Sequence, residues 1–214
     1  MMFADLAVQL VYDEYAARAQ SDGARMAALG SDGYGRRDEF LLPVGEEVGR
    51  LLHTLILAHR PRRILELGTS YGYSTLFLAD AAREVGGKVI TMELADYKQA
   101  YALQRLDRAG LAEHVEFRCG DAVALIEADG GMFDFVLLDI WKELYSPCFA
   151  ALYPKLSEEG IVAADNMIDP PGHRENVRVY RADVLAKGDM QQVLLPCGQG
   201  VELAVKWSAG NAKL

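Results

Sequence analysis

The sequence predicts an α/β fold: a doubly wound, mostly parallel seven-stranded sheet that ends in an antiparallel hairpin. Three observations carry that expectation. Short apolar runs alternate with helix-period segments five times between residues 62 and 186, the pattern of a parallel sheet with helices on both faces. The turn after the first run, Gly68-Thr-Ser-Tyr-Gly72, puts glycine where a chain must reverse tightly or approach a ligand closely. The last two apolar runs are joined by Cys-Gly-Gln-Gly, a short loop suited to a hairpin.

Taken in order, residues 3–20 form an amphipathic helix by periodicity, with Phe3, Leu6, Leu10 and Tyr12 among its apolar positions, and 22–29 a second short helix. Gly30 to Asp38 is loop by composition. Residues 45–59 return to helix, with Val48, Leu51, Leu52, Leu55 and Ile56 on one face. Buried strands follow at 62–67, 88–94, 115–120, 133–139 and 160–165, with helices at 73–85, 96–109, 121–128, 142–153 and 173–186 after them. The hairpin strands are 190–196 and 201–207. No repeat, low-complexity tract or Pro/Gly-rich linker divides the chain. Residues 1–214 are therefore expected to form a single domain, with 1–40 as a helical extension and 41–207 as the sheet core.

With 214 residues, 51% of them hydrophobic, the chain buries a large core without disulfides or structural metals. Its formal net charge is −9, which argues against general binding to nucleic acid or anionic membrane, since both need clustered cations. Cys119, Cys148 and Cys197 form no CxxC pair and no zinc-like cluster with histidine. No apolar run reaches the roughly 18 residues of a membrane span. The N-terminus carries Asp5, Asp13 and Glu14 and lacks a secretory pattern. A reducing, cytoplasmic setting is expected. The apolar helix within residues 1–30 also offers a face for a homodimer.

Ligands of such sheets bind beyond the C-terminal ends of the strands, near the reversal of strand order. After the first strand, Glu66 precedes the Gly68–Gly72 turn. The spacing is not G-x-G-x-x-G, and an acid there favours a cationic ligand over a pyrophosphate. Glu93 ends the second strand; it suits two ribose hydroxyls or caps the next helix. Asp121 follows the third and either N-caps a helix or faces an adenine. Asp139-Ile-Trp-Lys142 ends the fourth strand and Asp165-Asn166 the fifth. On neighbouring strands the two carboxylates would lie about 5 Å apart. Two acids and an amide, without Cys or His, suit Mg²⁺ or a similar hard cation. The structural alternatives are a helix N-cap at Asp139 and a turn at Asp165-Asn166. Lys142 is poorly placed at a helix N-terminus on electrostatic grounds, which favours a functional reason for it.

These residues carry a resemblance. LELGTSYGYST (65–75), the acid of VITMEL, LLDIWKELY (137–145), ADNM (164–167) and LLPVG (41–45) resemble the S-adenosylmethionine (SAM)-dependent O-methyltransferases of the catechol O-methyltransferase-like branch, over about residues 40–207. The resemblance implies a class I, Rossmann-like methyltransferase sheet. It implies that Val44, Glu66, Gly68, Ser70, Tyr71, Gly72 and Ser74 line the methionine part of SAM. Glu93 would bind the ribose, while Asp121, Ala122, Ile140 and Trp141 would surround the adenine. Asp139, also placed against the cofactor, would hold Mg²⁺ with Asp165 and Asn166, and Lys142 would be the general base. Phe40, Leu42, Trp141, Lys142, Asn166 and Pro170 would meet a small aromatic substrate with vicinal hydroxyls.

One departure is plain. Catechol enzymes of this family carry a glutamate before the last strand that bonds the non-reacting hydroxyl, and Leu194 to Gln199 contains no carboxylate. Glu202 lies inside the strand. This counts against a simple catechol and leaves O-methyl transfer intact. Arg174 and Arg178 either meet an acidic substituent or form a solvated helix face. His53, His59 and His114 are expected to be structural. The rival functions are a methyltransferase that needs no metal or takes a non-catechol acceptor, an NAD(P)-dependent oxidoreductase and a non-catalytic binding module. The absence of G-x-G-x-x-G and Tyr-x-x-x-Lys argues against the oxidoreductase.

Overall fold

The computed structural model describes residues 1–169 and 171–207. Helices α1 (Leu6–Leu29), α2 (Ser31–Gly35) and α3 (Glu46–His59) come first. The alternation then runs β1 (Arg63–Leu67), α4 (Tyr73–Val85), β2 (Lys88–Glu93), α5 (Asp96–Arg108), β3 (Val115–Cys119), α6 (Ala122–Ala128), β4 (Phe133–Leu138), α7 (Tyr145–Leu152), β5 (Leu156–Ala164) and α8 (Arg174–Leu185). The hairpin is β6 (Met190–Leu195) and β7 (Val201–Lys206). No described helix is long and apolar enough to cross a membrane.

The seven strands lie in the order β3-β2-β1-β4-β5-β7-β6. Strands β1 to β5 are parallel, and β7 runs antiparallel to both β5 and β6. Each face carries a core, because β1, β2 and β4 are apolar on both sides. One core packs Val48, Leu52 and Ile56 of α3 and Leu76 and Phe77 of α4 against Ile64 and Phe135. The other packs Tyr145 and Phe149 of α7 and Tyr180 of α8 against Val136, Leu138 and Val162. The strand order turns outward in both directions from the β1–β4 pair, so a crevice opens there. The register Leu67↔Leu138 and Leu138↔Ala164 brings Gly68, Asp139 and Asp165 to one edge of the sheet.

Four elements differ from the sequence expectation. The two helices expected at 3–20 and 22–29 are one continuous α1. Gly23 does not break it, because Asp22 accepts from Arg18 Nε at 3.1 Å and Arg25 Nη1 at 2.9 Å across that point. The expected loop at 30–38 contains α2 and runs into a 3₁₀ turn at Arg37–Glu39. The helix expected from 142 begins with a 3₁₀ turn, Lys142–Leu144, before α7. Strand β5 starts at Leu156 rather than 160, and Glu159 adopts a left-handed φ of 64° beside an irregularity in its pairing with β4.

α1 is not peripheral to the fold. Its Val8, Val11, Tyr12 and Tyr15, with Phe3 just before it, belong to the core on the α3–α4 side. Its opposite face leaves Leu6 and Leu10 exposed.

Candidate active site

The turn after β1 is shaped by two close approaches. A Cβ on Gly68, at φ 101°, would run into the carbonyl oxygen of Asp139. A Cβ on Gly72, at φ 88°, would lie 2.7 Å from Ala102 Cβ and 2.9 Å from Tyr15 Oη. Glycine at both positions lets the turn lie against β4 and α5 at once. Ser70 also has a left-handed φ, 44°, and its N–H donates to Glu93 Oε2 at 2.9 Å. The other oxygen of Glu93 accepts from Leu94 N and Ala95 N. Glu93 thus ties the end of β2 to the turn after β1.

Glu66 lies beneath this turn and is fully buried. It accepts from Ser74 Oγ, Thr75 Oγ1 and Thr91 Oγ1, each at 2.6 Å. Thr69 and Thr91 share a further hydroxyl bond of 2.6 Å. Burial pushes the Glu66 carboxyl up to about 7, against the pull of its three hydroxyl donors. Both Glu66 and the Ser74 hydroxyl are therefore engaged below the turn. The Tyr71 ring packs edge-on to Tyr101, 5.5 Å between centroids, and under the Arg18 guanidinium. Asp121 caps α6 by accepting from Ala124 N at 2.9 Å, and Ala122 is the first residue of that helix.

At the ends of β4 and β5 the chemistry changes. Lys142 is 6% exposed. Its Nζ lies 2.9 Å from Asn166 Oδ1, 3.3 Å from the Ile140 carbonyl and 4.0 Å from Asp139 Oδ1, and it donates to Tyr145 Oη. Burial pushes the lysine below its ordinary pKa, and the nearby Asp139 and Asp165 charges draw it back up. Both acids are raised by burial. Asp165 reaches about 7, with repulsion from Asp139 the second cause, whereas Lys142 partly offsets the rise at Asp139. Asp165 Oδ1 is buried with no hydrogen-bond partner among the described residues. Asn166 holds a left-handed φ of 54°, an uncommon state for a non-glycine residue and one that clusters at functional sites. Its Nδ2 donates to Gln199 Oε1 at 3.0 Å, which fastens the hairpin loop to the site.

Among the described residues no group of three His, Cys, Asp or Glu side chains is placed to hold a metal ion. A cation here would rest on two carboxylates and one amide oxygen. That set is all oxygen and includes one unpartnered buried atom, so it fits a hard cation that keeps several waters.

The rim holds the remaining residues. Trp141 is 39% exposed, and the Arg37 guanidinium lies 4.3 Å from its ring centroid. Leu42 is exposed, Ile140 half-buried and Val44 buried. Phe40 is buried beneath Arg25, whose guanidinium is 5.3 Å from the ring centroid. Pro170 lies outside the described residues. Arg178 pairs with Glu175 at 2.7 Å on the surface of α8. Glu202 faces Arg181 of α8, 2.5 Å away, and not the rim.

Sequence reasoning passed over three groups. Tyr145 is fully buried, and its hydroxyl lies 2.9 Å from both the Leu138 and Asp165 carbonyls. Thr75 and Thr91 complete the Glu66 cluster. Glu47 of α3 accepts from Gly198 N at 3.3 Å and so reaches the hairpin loop. A tyrosine three residues after Lys142, in the same turn, is the one signal the sequence offered.

A seven-stranded sheet of this order, with a glycine turn at its switch point and acids on the neighbouring strand ends, defines a class I methyltransferase fold. The profile of the family described as O-methyltransferase matches residues 28–207, and the chain belongs to that family. It is 36% identical over 132 residues to a catechol O-methyltransferase of Niastella koreensis, a match covering 59% of this chain and 59% of that relative. The chain thus spans under two thirds of that relative's length. It is 27% identical to caffeoyl-CoA O-methyltransferase 1 of Eucalyptus globulus, over 76% of this chain and 74% of the relative. Among solved structures, the O-methyltransferase TomG of Streptomyces achromogenes, in complex with SAM, superposes with a TM-score of 0.74 at 25% identity, over 96% of this chain and 92% of that one.

Proposed function

We propose that the protein transfers a methyl group from SAM to one hydroxyl of a small aromatic acceptor with two vicinal hydroxyls, assisted by Mg²⁺ or another divalent cation. The observation that carries this reading is the convergence of Asp139, Lys142, Asp165 and Asn166 on adjacent strand ends, beside the glycine turn. Family membership and the SAM-bound neighbour support the cofactor.

Asp139, Asp165 and Asn166 would hold the cation. The chemistry such a cation would supply is a lowered pKa for the acceptor hydroxyl, which matters because a phenol ionises at about pH 10. Lys142 accepts the acceptor's proton at Nζ. Its burial favours the neutral amine that a base requires. Gly68, Ser70, Tyr71 and Gly72, through their backbone, and Val44 frame the methionine end of SAM, above Glu66 and Ser74. Glu93 receives the ribose, with Asp121, Ala122, Ile140 and Trp141 around the adenine. Leu42 and Trp141 offer the aromatic acceptor an apolar rim, and Phe40, two residues before Leu42, and Pro170 would complete it. Bound there, SAM would supply the methyl group, and the turn and rim residues would supply the alignment that the transfer requires. Charge is neutralised in that step, so a desolvated pocket favours it.

The test is calorimetry with SAM and with NAD, then methyl transfer to a panel of catechols and caffeoyl-type acids with Mg²⁺ or chelator. Binding of SAM alone and Mg²⁺-dependent transfer are expected. Tight NAD binding without SAM binding would overturn the assignment. Full transfer in chelator would remove the metal and leave the methyltransferase.

A further inference from the structure

Nothing in the proposed reaction uses α1, yet α1 grips both walls of the cofactor crevice. On one side it holds the turn after β1. The buried Tyr15 hydroxyl donates to the Tyr71 carbonyl at 2.6 Å. One turn further along the helix, the Arg18 guanidinium stacks 3.9 Å from the centroid of the Tyr71 ring and 4.7 Å from that of Tyr101. On the other side α1 holds the segment that leads to Val44. Asp22, buried, accepts from Leu41 N at 3.0 Å while Arg18 Nε binds the same oxygen at 3.1 Å. The two walls are also joined directly. Tyr71 Oη donates to the Asp38 carbonyl at 3.0 Å, and Lys98 Nζ of α5 donates to Asp38 Oδ1 at 2.9 Å. The contacts form a closed circuit from Tyr15 and Arg18 through Tyr71, Asp38 and Leu41 back to Asp22.

Such a circuit fixes a separation. The glycine turn has left-handed residues at Gly68, Ser70 and Gly72, so its backbone has other accessible shapes unless something outside it decides. The segment from Phe40 to Gly45 has no helix or strand of its own. Arg18 suits the coupling role because a planar guanidinium can stack on two rings while its Nε bonds a carboxylate.

We infer that Arg18, Tyr15 and Asp22 are positioning residues for the cofactor: α1 sets the distance between the glycine turn and the 38–44 segment at which the methionine end of SAM is received. This rests on SAM being the cofactor. If loss of a strut leaves the competent spacing populated a tenth of the time, apparent affinity falls about tenfold while the bound complex is unchanged.

The experiment measures SAM affinity by calorimetry, kcat at saturating SAM and the thermal midpoint, all on the full chain. Arg18→Ala is expected to weaken SAM binding about tenfold and to change kcat by less than about threefold. Arg18→Lys recovers only part of the affinity, because an ammonium cannot stack flat on both rings. Tyr15→Phe gives a smaller loss in the same direction. Leu10→Ala, on the exposed face of α1, leaves affinity as it was. A lower thermal midpoint with wild-type SAM affinity in Arg18→Ala and Tyr15→Phe would show that α1 is structural only and overturn the inference. Should Arg18→Ala fail to fold, Tyr15→Phe decides, since it removes a single oxygen. Wild-type protein that does not bind SAM at all would remove the cofactor assignment itself, and this inference with it.

Discussion

Glu66 and Asp165 are both buried acids near the C-terminal edge of the sheet, and burial pushes each up to about 7. Their surroundings are opposite. Glu66 has three hydroxyl donors, all supplied by the chain, at 2.6 Å. Asp165 has a neighbouring acid that repels it and one oxygen with no partner among the described residues. A polar group with all its partners inside the protein is complete before any ligand arrives. A buried carboxylate oxygen without one costs free energy until something supplies a proton, a water or a cation. On the proposed reading, the cofactor side would be finished by folding and the acceptor side left to be finished by binding.

The largest break in that contrast is Lys142→Ala. If the acceptor side does the chemistry, kcat should fall by about 10²–10⁴-fold. SAM affinity, which depends on the other wall, should stay within about twofold of wild type. Stopped-flow transfer and calorimetry on the same preparation separate the two quantities. Collapse of SAM binding would instead make Lys142 a structural member of the cofactor wall.

Tyr145→Phe tests whether the acceptor side has any completed part. The hydroxyl contacts Lys142 Nζ and two strand-end carbonyls, Leu138 and Asp165. Its loss should lower kcat about tenfold by releasing the lysine and should cost about 1–3 kcal/mol of stability through the carbonyl left unpaired. SAM affinity should not move. A lower melting temperature with unchanged kcat would reduce Tyr145 to a tie between β4 and β5.

The same contrast governs what the sequence made legible. Asp139, Lys142, Asp165 and Asn166 could be read in advance because parallel strands end side by side, so residues just past them must converge. The β1 turn announced itself through Gly68 and Gly72. Partners supplied from across the fold left no such mark. Asp22 accepts from Leu41 N, 19 residues away, and so a residue that holds α1 together across Gly23 read only as the start of a second helix. Thr91 lies 25 residues from the Glu66 it bonds, hidden as one β-branched residue among others in a buried strand. The start of β5 was masked by Glu158-Glu159-Gly160, where polar residues and a left-handed turn of the backbone interrupt an exposed edge.

The last test concerns Glu66 itself and is read in stability alone. Its ordinary carboxyl value is 4.5, and the folded value is about 7. Between those limits the unfolded chain has released the proton and the folded chain still holds it. Stability changes with pH as the protons bound by the unfolded state minus those bound by the folded state. That difference is negative here, so Glu66's contribution is complete below about pH 4.5 and is lost as pH rises through 7. Glu66→Gln cannot titrate. Its stability curve should therefore be flatter than wild type across this window, by on the order of 1 kcal/mol per pH unit, and the variant should gain on wild type between pH 5 and pH 8 in denaturant melts. Asp165→Asn should flatten the curve over the same upper range, because its carboxyl also reaches about 7. Only bound divalent cation should suppress the Asp165 part, since a ligand that favours the ionised form lowers that folded pKa. Parallel curves for wild type and Glu66→Gln would mean that three hydroxyl donors outweigh burial and keep Glu66 ionised throughout, and the cofactor side would then be complete in charge as well as in hydrogen bonds.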